Sequence, residues 1–193
     1  MKKIVLSLLF SVAFLIFGYA QTTWIVDPTH SSIQFEVSHL AVSSVTGQFT
    51  SYSGIVTSKK MEFEDAKITA TIQVPSITTN NLERDKHLKD DDFFNAAEYP
   101  EIKFVSNSFK EKGNNMYTIK GDLTIKGVTK PITLNAEFGG IVSINNKQKA
   151  GFEARGTINR FDYGLSWDDV LDSGGLIVGE KVDLILNVEL VKQ

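Results

Sequence analysis

The chain has 193 residues, with 20 basic against 23 acidic side chains and no cysteine. That length suits one domain. The weak acidity excludes the basic face that nucleic acid requires and docking by charge on anionic lipid, and the absence of cysteine excludes disulfides, thiolate nucleophiles and cysteine-ligated metal. In chain order, the first predicted element is a secretory leader. Lys2 and Lys3 precede an apolar run from Ile4 to Phe17, and Gly18-Tyr19-Ala20 sets small residues where a signal peptidase reads. Cleavage is expected before Gln21. The run is short for a bilayer span, which takes about 20 residues, and no cysteine follows it to carry a lipid anchor. Without Lys2 and Lys3, 18 basic residues face 23 acidic ones, a formal charge of −5.

From there the dominant signal is alternation of apolar and polar side chains, the period of a strand with one dry face. Ile33, Phe35 and Val37 alternate with Gln34, Glu36 and Ser38. The same pattern runs through Ile68, Ala70, Ile72 and Val74, and through Tyr117, Ile119, Gly121, Leu123 and Ile125. It returns in Phe152, Ala154, Gly156 and Ile158, and in Val182, Leu184, Leu186 and Val188. Noisier runs near 46–57, 101–109 and 131–143 bring the expected total to about eight strands. Gly113-Asn114, Gly127-Val128-Thr129 and Asn145-Asn146 are hairpin turns between such runs, and short turns imply antiparallel neighbours. Pro131 is expected at a strand start, where its missing N–H is tolerated.

Two segments break the alternation. Residues 80–99 are polar, with Asn81 placed to cap a short helix over 83–88; Phe93-Phe94 follow the acidic run Asp90–Asp92 and read as a plug or the edge of a lid. Residues 160–180 form a second long connection, rich in Gly and Asp. Loops this long in a small domain are usually functional or mobile.

Eight antiparallel strands with one dry face close into a barrel or stack as a sandwich. In a barrel the small inward set Ala70, Gly121, Ala136, Ala154 and Gly156, beside Phe35, Phe104, Phe138 and Phe152, either leaves room for one ligand or allows a filled core to pack closely. The pattern alone does not choose between the two.

Asp27-Pro28-Thr29-His30-Ser31 followed by Ile33-Gln34-Phe35-Glu36-Val37-Ser38-His39 resembles the opening of the YceI family. The resemblance continues in Gly47-Gln48-Phe49, Arg84-Asp85-Lys86-His87-Leu88, Asp92-Phe93-Phe94 and Tyr99-Pro100-Glu101-Ile102-Lys103-Phe104. It extends through Leu123-Thr124-Ile125-Lys126-Gly127-Val128-Thr129 and Asn159-Arg160-Phe161-Asp162-Tyr163-Gly164, with Tyr163 where the family often has Phe. It implies an all-β fold, a lipocalin-like extended eight-stranded antiparallel barrel with a short helix in the loop near 80–95. It also implies a polyisoprenoid or similar long-chain lipid as partner and a periplasmic or secreted location. On this reading residues 21–193 are one lipid-binding domain that is not an enzyme and needs no cofactor. The lipid chain is expected against Phe35, Val37, Phe49, Ile72, Phe94, Phe104, Leu123, Leu134, Phe138, Phe152 and Leu186. The rival is a ligand-free structural or stress-related domain acting through its surface. The sequence leaves dimerisation open.

Other chemistry lacks its motifs. His30, His39 and His87 show no metal-ligand spacing, and Asp90–Asp92 lacks the glycine and spaced glutamate of a calcium loop. Ser31, His39 and Asp85 have no nucleophile elbow around them. Gly174–Glu180 places a glutamate where a phosphate loop requires lysine. His39, Arg84, Asp85, Arg160 and Asp162 remain as polar mouth residues. Either each Arg pairs a nearby Asp and staples its loop, or one of them faces a lipid head group.

Overall fold

The alternating runs pair into one antiparallel sheet whose last strand returns to the first. A computed structural model describes residues 21–59, 63–172 and 174–193; the leader expected over residues 1–20 lies outside them. The strands are β1 (Thr22–Val26), β2 (Ser32–His39), β3 (Ser43–Phe49), β4 (Tyr52–Ser58), β5 (Lys67–Gln73), β6 (Ile77–Thr78), β7 (Glu101–Gly113), β8 (Met116–Ile125), β9 (Val128–Ile144), β10 (Lys147–Asn159) and β11 (Val178–Lys192). Closure comes from β11: its C-terminal end pairs β1 through Ile25↔Val191, and its N-terminal half pairs β2 through Phe35↔Leu184. β1 and β2 are therefore two parts of one stave. β4 pairs β1 while β3 pairs β2, and β5 pairs β4 while β6 pairs β3, so each of these couples is also a single interrupted stave. With β7 to β11 the ring has eight staves and no free edge along most of its circumference.

The expected single strand over 46–57 is thus broken, and β1 was not visible in the alternation. The break at Thr50-Ser51 is held by Ser76, whose carbonyl accepts from the Thr50 amide at 3.2 Å and whose hydroxyl accepts from the Ser51 amide at 3.0 Å. The break between β1 and β2 is held by Asp27-Pro28-Thr29-His30-Ser31. Asp27 accepts from the Thr29 amide at 3.0 Å and contacts His30 Nδ1 at 2.9 Å. The Ser31 hydroxyl accepts from the Glu189 amide at 2.9 Å, and the Tyr52 hydroxyl donates to the Ser31 carbonyl at 2.5 Å. The His30 contact holds the Asp27 carboxyl down at about 2.

The two-residue turns are Asn114-Asn115, Lys126-Gly127 and Asn145-Asn146, each a residue away from or coincident with the expected position, and every one of these residues has positive φ. That is the hairpin geometry Asn and Gly tolerate best. Pro131 is the fourth residue of β9 rather than its first, opposite Asp122. The β9–β10 ladder reaches only Asn135↔Arg155, so the missing N–H of Pro131 falls where β9 has no further pair on that side.

All chain reversals at 40–42, 79–100, 126–127 and 160–177 lie at one end, the mouth; the opposite end carries 113–116, 144–147 and both described termini. The far end is stopped by aromatics. Phe63, fully buried, has ring centroids of Trp24 at 5.2 Å, Phe152 at 5.1 Å and Phe138 at 5.7 Å. Phe138 and Phe152 stack at 4.9 Å, and Phe109 and Tyr117 complete the cluster.

Candidate binding cavity

Between the aromatic floor and the mouth lies a cavity of about 240 Å³ bounded by side chains from every stave. Ten of the eleven residues expected along a lipid chain lie on its wall: Phe35, Val37, Phe49, Ile72, Phe94, Phe104, Leu123, Leu134, Phe152 and Leu186. Phe138 does not. It points inward, as alternation requires, but is spent in the floor against Phe63, Tyr117 and Phe152.

The small inward residues split into two groups. Ala70 and Ala154 border the cavity. Gly121 and Gly156 instead receive a neighbour: a Cβ at Gly121 would lie 2.5 Å from Phe104 Cζ, and one at Gly156 would lie 2.6 Å from Leu134 Cδ2. Ala136 is wholly buried beside Tyr117 and Ala154 and is not part of the wall. Of these five positions, Gly121 makes room for the Phe104 ring and Gly156 for Leu134, and only Ala70 and Ala154 leave free volume. Gly47, which alternation did not single out, does the same for Phe35.

The roof is built from the two irregular loops. The helix α1 (Leu82–His87) is capped as expected, Asn81 Oδ1 accepting from the Arg84 amide at 3.0 Å. After it, Leu88, Phe93 and Phe94 turn onto the cavity, joined by Leu165 from the other loop. Phe93 stacks on Trp167 at 5.8 Å, and the His87 ring meets both edge-on. His87 Nε2 lies 2.8 Å from Asp92 Oδ2, and the Asp92 carbonyl accepts from the amides of Ser166 and Trp167. Lys126 Nζ donates to the carbonyls of Asp91, at 2.5 Å, and Gly164, at 2.9 Å. One lysine on the β8–β9 turn thus pins both roof loops.

The mouth charges are not the Arg–Asp staples the sequence offered. Arg84 donates to the Thr79 hydroxyl at 2.7 Å and the Thr79 carbonyl at 3.0 Å. Asp85 is buried and accepts from the same Thr79, through its amide at 2.7 Å and its hydroxyl at 2.6 Å. Burial pushes the Asp85 carboxyl up, but hydrogen bonds from Thr79 and Thr78 outweigh it and hold the group below the usual range. Asp162 is exposed, and His39 ends β2 on the rim. None of His39, Arg84, Asp85 and Asp162 is on the cavity wall, whereas Arg160 is. Arg160 Nε donates to the Gly179 carbonyl at 2.9 Å, and its terminal nitrogens donate to Leu165 at 2.9 Å and Val178 at 3.0 Å.

Away from the mouth, Asp27, His30 and Glu189 come together across the sheet, a grouping with no sequence spacing to announce it. The positive charge among them is Lys149, 2.5 Å from Glu189 Oε1 and 3.5 Å from Asp27 Oδ2. Ser31, His39 and Asp85 are each engaged in separate parts of the fold, Ser31 with Glu189, His39 at the β2–β3 turn and Asp85 with Thr79.

Residues 24–190 match the family model described as the YceI-like domain. The chain belongs to the YceI family. A UPF0312 protein of Staphylococcus aureus (strain MSSA476), SAS2572, is 38% identical over 170 residues, which is 87% of this chain and 96% of that protein. The Campylobacter jejuni YceI protein is 33% identical, covers 79% of this chain and 87% of its own, and superposes with a TM-score of 0.66. Burkholderia cenocepacia BcnA shares the fold at 23% identity and a TM-score of 0.72, over 85% of this chain and 98% of that one. A polyisoprenoid binding domain from Saccharophagus degradans shares it at 16% identity and a TM-score of 0.63, over 86% of this chain and 97% of that one. These relatives carry no enzymatic name.

Proposed function

We propose that this YceI-family protein is an exported, non-enzymatic carrier or store for a long-chain apolar lipid of the polyisoprenoid type, held in the barrel. The observation that carries the reading is the apolar cavity of about 240 Å³ between an aromatic floor and a two-loop roof. A domain built only to present its surface has no use for such a volume, because filling it would strengthen the core. Support comes from the Saccharophagus degradans domain of the same fold, described as polyisoprenoid binding. The leader-like order of Lys2, Lys3, the apolar run and Ala20 is the basis for export.

The energetics need no polar contact along the chain. Each CH₂ taken out of water is worth roughly 0.8 kcal/mol, so ten buried carbons offer roughly 8 kcal/mol against the costs of association. Selectivity then rests on chain length and on whatever the mouth recognises.

Ala154→Phe tests the reading, because Ala154 borders the cavity and the added ring occupies the lipid's space. The expected outcome is a lipid-free protein that melts at the same or a higher temperature and no longer takes up a long-chain lipid. A large fall in the melting temperature would show instead that the core was already full; an unchanged midpoint with lipid retained would place the lipid elsewhere.

A further inference from the structure

The mouth end of the barrel carries apolar side chains that the cavity does not use. Among the described residues, the three most exposed large apolar side chains are Leu82 at 86%, Val42 at 84% and Val170 at 65%. Val42 lies in the β2–β3 connection, Leu82 opens α1 and Val170 lies in the 160–177 loop, so all three stand at the mouth. Leu40, also exposed, precedes Val42 by two residues. Single exposed apolar residues are ordinary on any protein surface, so their grouping at one end is the informative part.

Backbone hydrogen bonds hold much of this rim together. The Leu40 amide donates to the Ile177 carbonyl at 2.8 Å, the Ile177 amide donates to the Asp169 carbonyl at 2.9 Å, and Val170 bridges Leu176. The tip of the β2–β3 hairpin is thereby tied to the 160–177 loop. The tie sits beside the cavity, since Val178 pairs His39 and both Val178 and Val37 are cavity wall. Leu40 and Ala41 hold φ of 53° and 56°, a left-handed backbone that is costly for residues other than glycine. Strain of this kind is a pointer to function, and here it presents an apolar tip at the rim.

Shape and charge decide what such a rim fits. A stable protein partner covers a contiguous, complementary face of about 800 Å² per side. Here single side chains stand on three separate loops, which a fluid apolar medium accepts one by one. Segments 79–100 and 160–177 hold ten acidic side chains against four basic ones. That balance repels an anionic lipid surface and leaves a zwitterionic one open.

We propose that Leu40, Val42, Leu82 and Val170 form a docking rim that dips into the surface of a zwitterionic lipid bilayer and sets the cavity mouth against it. The docking follows from the rim; its use in lipid exchange rests on the reading that the barrel holds a lipid. The side chains leave water for the boundary between head groups and acyl chains, which is where apolar groups on a peripheral protein are stabilised.

The test is flotation of the intact protein, as purified from its source, with phosphatidylcholine vesicles. The wild type should float with them, and less on an equimolar mixture with phosphatidylglycerol. Val42→Ser combined with Leu82→Ser should weaken partition at least about tenfold. Val142→Ser combined with Ile144→Ser removes exposed apolar side chains toward the opposite end and should leave partition unchanged. The N-terminus is the same in every variant, so differences between them report the loops, and circular dichroism verifies each fold. Absence of wild-type binding, equal loss in both double variants, no loss in the mouth variant, or stronger binding with phosphatidylglycerol would each overturn the rim. Uptake of hexadecanol delivered by cyclodextrin, with no membrane present, separates the two readings. Uptake without flotation overturns the docking and leaves the cavity standing, whereas flotation without uptake overturns the cavity reading and leaves the rim.

Discussion

The ring of Phe104 occupies the space that a side chain at Gly121 would need. A Cβ there would lie 2.5 Å from Phe104 Cζ and equally close to the Val105 carbonyl oxygen, and that backbone atom has no easy way to move aside. Gly121→Ala should therefore destabilise the barrel by about 1–3 kcal/mol, the usual range for overpacking. Gly151 is the control, since an added Cβ meets nothing within 4 Å and its φ is not in the left-handed region. Urea denaturation of both variants checks this: a clear loss for Gly121→Ala and a small change for Gly151→Ala are expected.

The turn from β2 to β3 uses the wrong residues for its geometry. Leu40 and Ala41, in the three-residue connection 40–42, have φ of 53° and 56°, whereas the two-residue hairpins place Asn or Lys-Gly in that region. Val42 beside them is 84% exposed. Left-handed backbone costs a non-glycine residue roughly 1–2 kcal/mol. Replacing Leu40-Ala41 with Asn-Gly should therefore raise stability by about 1–2 kcal/mol. A higher thermal midpoint with an unchanged circular dichroism spectrum is the expected result.

Acid should weaken the fold through Asp27. Its folded carboxyl titrates at about 2, held down chiefly by His30, against about 4 in an unfolded chain. Between those values the unfolded state binds the extra proton, so stability rises with pH there. The contribution is complete above about pH 4 and is lost as pH falls through about 2, and Asp85, also lowered, acts in the same direction. Denaturation midpoints from pH 6 down to 2 should fall steeply in the wild type and less steeply in Asp27→Asn, which should also be weaker at neutral pH because the oxygen facing His30 and Lys149 is replaced by an uncharged NH₂ donor.

Much of this architecture was legible because alternation is a direct record of which face is dry. Residues 117–125 and 182–188 read as strands and are strands, and inward Phe35, Leu123 and Leu186 reach the cavity. Interruption was not legible. Trp24–Val26 is too short to show a period, and the breaks at 27–31, 50–51 and 74–76 are fixed by partners distant in sequence, such as Ser76 for Thr50 and Glu189 for Ser31. Depth along the barrel was equally hidden. Phe138 and Phe152 both face inward, yet the first belongs wholly to the floor while the second also forms cavity wall. Phe63 lies in a loop, where periodicity says nothing, and it closes the far end. The polar residues were hardest to read: Arg84 and Arg160 both had an Asp nearby in sequence, but each found backbone or hydroxyl oxygen instead.

The most direct measurement is native mass spectrometry of the intact protein as purified from its source, followed by solvent extraction of anything released. The account predicts a population heavier than the polypeptide by one long-chain lipid, and loss of that mass on denaturation. A polypeptide found only at its own mass, which also takes up no long-chain lipid when incubated with one, would contradict it.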